Sequence, residues 1–178
     1  ATSGVLMVPA LPGGVGITHV RVYAMSPDGL AGGTPHLHTV CSEAYLVIKG
    51  SGEVQTLGAA GFERTPLVAG TVACSRPARS IVWSTTEGLR CTWSCRMQDL
   101  PEAGDLVIAF DEVTLAHESA YAASAALAPA GERRDRAVDA FAGWKQRFES
   151  DASAAMASLH GLAGAVVAEW AHSWTGVV

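Results

Sequence analysis

Positive charge is scarce in this chain. Twelve Lys and Arg stand against seventeen Asp and Glu, for a net charge of −5 and an isoelectric point near 5.6. A surface of that sign offers nothing to a polyanion, so neither a nucleic-acid groove nor attachment to an anionic membrane is expected. Long apolar runs are missing as well, and no stretch approaches the length of a membrane span. Ala1 to Pro9 lacks a basic segment followed by a long apolar one, so no signal peptide is read there and a cytoplasmic location is the expectation. Cysteine is limited to Cys41, Cys74, Cys91 and Cys95, none in a C-x-x-C pair, which excludes the usual zinc-ribbon spacing. In a reducing compartment they read as small buried residues rather than bridges. There is no G-x-S-x-G nucleophile motif, no repeat and no low-complexity tract.

What is present is a globular chain of 178 residues, 49% hydrophobic and 16% charged, long enough for one domain with an extension. Its texture changes near Asp111. Residues 1–111 are rich in Gly, Pro, Val, Thr and aromatics, and residues 112–178 are rich in Ala. In the first region strands are expected at Ile17–Met25, Ala44–Lys49, Glu53–Leu57, Leu67–Cys74, Ser80–Ser84 and Leu89–Met97, with a short apolar run at Leu106–Phe110. Gly50-Ser51-Gly52 reads as the turn of a hairpin between the second and third of these. Leu89–Met97 alternates cleanly, with Cys91, Trp93 and Cys95 on one face. Many short strands punctuated by Gly and Pro predict an antiparallel sandwich or barrel.

The second region predicts helices. Ser119–Leu127 has good propensity. Ala137, Phe141, Trp144 and Phe148 recur at helical spacing, as do Met156, Leu159, Ala163, Val166 and Trp170. These stripes need something to cover, and the barrel, each other or a partner subunit are the choices. Glu132 to Arg136 reads as a solvated helix start.

The chemistry concentrates in Gly33-Thr34-Pro35-His36-Leu37-His38, then Glu43 and Gly50. On a strand, His36 and His38 share a face, so their nitrogens can meet one cation. Glu43 stands at odd spacing from both. It joins them only if the chain turns or bulges between Thr39 and Ser42 and Glu43 begins the neighbouring strand. Two imidazoles and one carboxylate then form a facial ligand set that leaves open positions on a divalent metal. Tyr45 has the parity of Glu43 and is expected inside beside it, or as a core tyrosine. Trp83 has the parity of Ile81 and is a candidate to line the same pocket. Arg79 is a candidate to meet an anionic substrate at the mouth, or a surface arginine. His19, His117, His160 and His172 have no ligand spacing.

His36-x-His38, four residues, Glu43, six residues and Gly50 together resemble the first conserved motif of the cupins. The resemblance covers about residues 15–100. The following segment and tail are similar to those of a group of bacterial cupin-domain proteins. It implies a small β-barrel of two packed antiparallel sheets, with His36, His38 and Glu43 as metal ligands. Residues 1–111 would form the barrel, and residues 112–178 a helical extension packed on it or on a dimer partner. The second cupin motif departs from the pattern. Ala69-Gly70-Thr71-Val72 fits its opening, but no His lies between His38 and His117. Ile81, or Ser80 in a shifted register, stands where the fourth ligand is expected, and Cys74 is an outlying candidate to replace it.

Two functions follow as expectations. One is a metal-dependent cupin acting on a small organic molecule, as a dioxygenase, isomerase or cyclase, with Fe, Mn, Ni, Co or Zn as its metal. The other is a degenerate, non-catalytic cupin that binds a small ligand or a partner. A homodimer is expected from the resemblance and from the apolar helix stripes.

Overall fold

The computed structural model describes residues 2–6, 15–22, 33–39, 42–75, 80–84, 89–96 and 106–174. For 2–6, 15–18, 22, 80–84, 89–96 and 169–174 it describes the backbone alone. Nine strands come first: β1 Thr2–Leu6, β2 Val15–Val22, β3 His36–His38, β4 Ser42–Gly58, β5 Gly61–Val68, β6 Val72–Ser75, β7 Ser80–Ser84, β8 Leu89–Arg96 and β9 Leu106–Ile108. Four helices follow: α1 Glu112–Leu115, α2 Glu118–Ala125, α3 Ala130–Ser150 and α4 Ala152–Trp174. All strand pairings are antiparallel, in the order β1-β2-β8-β4-β7-β3-β9, with β5 and β6 also paired to β4. No helix among the described residues is long and apolar enough to cross a membrane.

The hairpin expected at Gly50-Ser51-Gly52 is not there. β4 runs through it as one strand of 17 residues and passes from one sheet to the other. Its first half pairs with β6 and β8, and its second half with β5 and β7. The glycines serve a bend instead of a reversal. Gly50 has φ 90°, a region that L side chains rarely adopt, and the register against β8 slips between Val47 and Lys49. The slip exchanges the faces. Glu43, Tyr45 and Val47 are buried before it, at odd positions; after it the inward set is Val54 and Thr56, at even positions. The true reversal lies at Ala59-Ala60, between Gly58 and Gly61, which are register partners. The expected Leu67–Cys74 strand is likewise two strands, broken at Ala69-Gly70. Residues 23–25 and 97, assigned to strands from the sequence, lie outside the described residues.

Two apolar clusters result. Tyr45, Val47, Val54 and Leu67 fill the barrel, with Val20 and Ala73 against them. The larger cluster lies on the other side of the second sheet. Leu37, Leu57, Val107, Ala109 and Phe110 pack there with Leu115, Tyr121, Phe141, Trp144, Phe148, Leu159 and Val166. The aromatic stripe of α3 and the Leu159–Val166 stripe of α4 are therefore the cover of that sheet. Burying each large side chain contributes roughly 1.5–3 kcal/mol before entropy is counted. Polar contacts fix the alignment. Trp144 Nε1 donates to the Phe110 carbonyl at 2.8 Å, and Lys145 Nζ sits 4.2 Å from the Phe62 ring centroid. Glu112 accepts from both Arg147 on α3 and Ser158 on α4.

Candidate metal site

Alternation along β3 divides its three residues between the two clusters. Leu37 is fully buried under the helices, which turns His36 and His38 toward the barrel interior. Glu43 comes from the first half of β4. That segment is not the neighbour of β3, contrary to the sequence expectation. The neighbours of β3 are β7 and β9, and Glu43 belongs to the opposite sheet, paired with Ser75 and Cys95. The three side chains meet because the inner faces of two sheets meet, not because adjacent strands do. Val40 and Cys41 lie outside the described residues.

One atom from each side chain lies within 4.8 Å of the other two. Glu43 Oε1 is 2.9 Å from His38 Nε2 and 3.6 Å from His36 Nε2. Metal–ligand bonds of about 2.0–2.2 Å would separate adjacent ligand atoms by roughly 3.0–3.5 Å, so the spacing suits a cation. The imidazoles stand nearly perpendicular, at 87°, with centroids 5.5 Å apart. Glu43 and His38 are 3% and 2% exposed.

The hydrogen bonds around the site orient these donors. His36 Nδ1 lies 2.9 Å from the Thr34 carbonyl, which can only accept, so Nδ1 carries the hydrogen. In the neutral ring Nε2 then has a lone pair, and it faces Glu43 Oε1, itself buried and without a hydrogen bond of normal geometry. Two lone pairs aimed at each other repel unless a proton or a cation lies between them. A divalent cation would satisfy all three donors at once, and in this respect the residues fit a metal. Tyr45, 3% exposed, donates its hydroxyl to Glu43 Oε2 and so leaves Oε1 turned toward the imidazoles. Burial works against ionisation of Glu43. When the imidazoles carry protons on the nitrogens that face it, His36 and His38 together outweigh that cost and hold the carboxyl well below the usual carboxylate range.

The other candidates scatter. Ile81 is the register partner of His36 on one side and of Thr56 on the other, so the backbone places it in line with the ligand row. Trp83 is the partner of Val54. The side chains of Ile81 and Trp83, and all of Arg79, lie outside the described residues. Cys74 is not a replacement ligand. It is exposed, pairs with Ala44 and does not belong to the ligand group. Its parity on β6 is opposite to that of Ser75, the partner of Glu43. Two buried polar residues escaped the sequence reading, Thr56 and Ser75. Neither stands in a motif, and only register puts Ser75 beside Glu43 and Thr56 in the row of His36. A cavity of about 140 Å³ lies beside Tyr45, lined among others by Val54, Thr56, Thr65, Cys74 and Ser75 and by none of the three candidate ligands.

No family model matches this sequence, and no curated protein does. Solved structures do. A point mutant of the Bacillus subtilis oxalate decarboxylase superposes with a TM-score of 0.53 at 15% identity, over 68% of this chain and 31% of that one. An uncharacterized protein with a double-stranded β-helix domain from Klebsiella pneumoniae is similar over 50% of this chain and 72% of its own, at 15% identity and a TM-score of 0.41. Vicilin from tomato, Solanum lycopersicum, gives a TM-score of 0.46 at 15% identity, over 56% of this chain and 27% of its own. The antiparallel topology, the long strand shared by both sheets and the superposition on the oxalate decarboxylase agree: the chain has the cupin fold, a double-stranded β-helix, with helices added behind one sheet.

Proposed function

We propose that the chain is a metal-dependent cupin enzyme acting on a small organic molecule, of dioxygenase, isomerase or cyclase type. The observation that carries this reading is the convergence of His36 Nε2, His38 Nε2 and Glu43 Oε1 on one point of a buried face. When bound there, Fe, Mn, Ni, Co or Zn supplies Lewis acidity or, for iron, an oxygen-binding centre. The chain's own residues do the rest. His36 is held in one tautomer by the Thr34 carbonyl and Tyr45 holds Glu43, and three protein ligands would leave coordination positions of a divalent cation for water or substrate. The cavity beside Tyr45 is well below the roughly 300–1,000 Å³ of drug-sized sites, so its guest is small. Its lining includes the hydroxyl residues Tyr45, Thr56, Thr65 and Ser75 together with Cys74.

One observation favours a second reading, a non-catalytic cupin that binds a small ligand. Ile81, which cannot ligate a metal, is the register partner of His36. Metal analysis of untagged protein separates the two. Stoichiometric transition metal that is lost in His36→Ala supports the enzyme. No metal in either protein, and a melting temperature indifferent to added Fe, Mn or Zn, supports the binding module. A homodimer belongs to the same proposal. Leu46, Ile48 and Val72 are 47%, 51% and 64% exposed on the outer face of the first sheet, and a second copy would cover them. A monomer in sedimentation would refute that part.

A further inference from the structure

We infer that the helical tail is a clamp on the ligand-bearing strand, with Tyr121 and Trp144 as positioning residues for His36 and His38. The inference rests on the metal reading above and goes beyond it. β3 has only three residues, and its partner β9, also of three, is the last strand of its sheet among the described residues. Such a pair is too short to hold its own register against thermal motion, and an edge strand has one unpaired row of backbone groups. Here the helices supply the missing partners. The Ile108 N–H donates to the Tyr121 hydroxyl at 3.1 Å, and the Phe110 carbonyl accepts from the Trp144 indole at 2.8 Å. Both aromatic side chains are almost fully buried, at 2% and 3% exposure, and Phe110 meets Tyr121 edge-on at 5.8 Å.

Held at its end by those two anchors, β9 grips the strand of the two histidines. Ile108 is the register partner of His36, and Leu106 that of His38. The Ala109 N–H donates to the Pro35 carbonyl at 3.0 Å, which fixes the residue between Thr34 and His36. The Thr34 carbonyl in turn sets the His36 tautomer. Hydrogen bonds joined by one or two residues of backbone therefore run from α2 and α3 through the end of β9 to the His36 ring. Metal ligands tolerate displacements of only a few tenths of an ångström, so loosening β9 would spread the ligand set without removing any member of it.

The test uses full-length protein and Co²⁺ alone, titrated against a chromophoric chelator well below the melting temperature. Tyr121→Phe keeps the ring and deletes one hydrogen bond; Trp144→Phe deletes the other and also trims the buried indole to a phenyl, a loss of packing that the control must match. Phe148→Leu is the control: it disturbs α3 one turn away, where the Phe148 backbone approaches Gly61 of β5, with no hydrogen bond to β9. The two test variants are expected to lose about tenfold in Co²⁺ affinity, the low end for outer partners of a metal site, while the control loses stability and keeps its affinity. Wild-type affinity in both test variants, or equal loss in the control, overturns the inference. Should wild-type and His36→Ala protein bind Co²⁺ equally, the metal reading fails and the clamp is judged without metal. Amide exchange across His36–His38 is then expected to quicken about tenfold in Tyr121→Phe relative to the β4–β5 hairpin. An unchanged ratio would overturn the clamp independently.

Discussion

Tyr45→Phe tests whether the site is organised by its own hydrogen bonds before any metal arrives. The substitution removes one hydroxyl and leaves the ring in its cluster with Val47, Val54 and Leu67. The hydroxyl donates to a carboxylate held in its ionised form, and both side chains are 3% exposed, so bulk water is a poor substitute for the lost donor. Hydrogen bonds to charged acceptors contribute about 1.5–3 kcal/mol and those to neutral ones about 1 kcal/mol. Metal-free Tyr45→Phe is therefore expected to lose about 2 kcal/mol at neutral pH. With a urea slope of about 2 kcal/mol per molar, the midpoint falls by about 1 M. The same substitution placed in Glu43→Gln, where the acceptor is a neutral amide, should cost about 1 kcal/mol, leaving a coupling of about 1 kcal/mol between the two positions. The assay is urea unfolding of the four proteins in chelator-treated buffer. A midpoint shift under about 0.3 M in the wild-type background, or the same cost in both backgrounds, would mean that Tyr45 does not hold an anionic Glu43.

Three other outcomes are expected. Ile81→His places an imidazole at the register partner of His36 and should raise Co²⁺ affinity by at least about tenfold in the same chelator competition; no change would separate this position from the fourth-ligand row. Asp111 caps α1, accepting from the Thr114 N–H at 2.9 Å and its hydroxyl at 2.7 Å. Asp111→Ala should cost about 1 kcal/mol in thermal or urea unfolding, with α1 and the Glu112 contacts affected first. Burial pushes the Tyr121 phenol above its ordinary 10.0. Its contribution is therefore complete below about pH 10 and lost as pH rises further, because the unfolded chain releases a proton that the native one retains. Stability measured between about pH 9 and 11 should fall less steeply in Tyr121→Phe than in wild type.

The ligand set was legible because it is local. His36, His38 and Glu43 lie within eight residues, and the period of a strand says which of them share a face. The tail was legible for a similar reason, since Phe141, Trp144 and Phe148 declare a buried helix face wherever that helix packs. The hairpin expected at Gly50-Ser51-Gly52 shows the limit. Glycines announce that the backbone departs from a regular strand, but a reversal and a bend with a bulge use the same residues. Here the choice was made by two sheets competing for one strand, β6 and β8 pairing before the bend and β5 and β7 after it.

The exclusion of Cys74, the arrival of Glu43 from the opposite sheet and the partnership of Ser75 with Glu43 are matters of register. Register depends on which face each strand can bury against the rest, and no window of sequence contains that information. By itself, then, the sequence determined the identity of the donors and the periodicity of the elements, because both depend on neighbours in the chain. The tertiary structure decided where the donors meet and what holds them there. A point shared by two sheets and braced by Tyr121 and Trp144 exists only when segments more than a hundred residues apart are packed together.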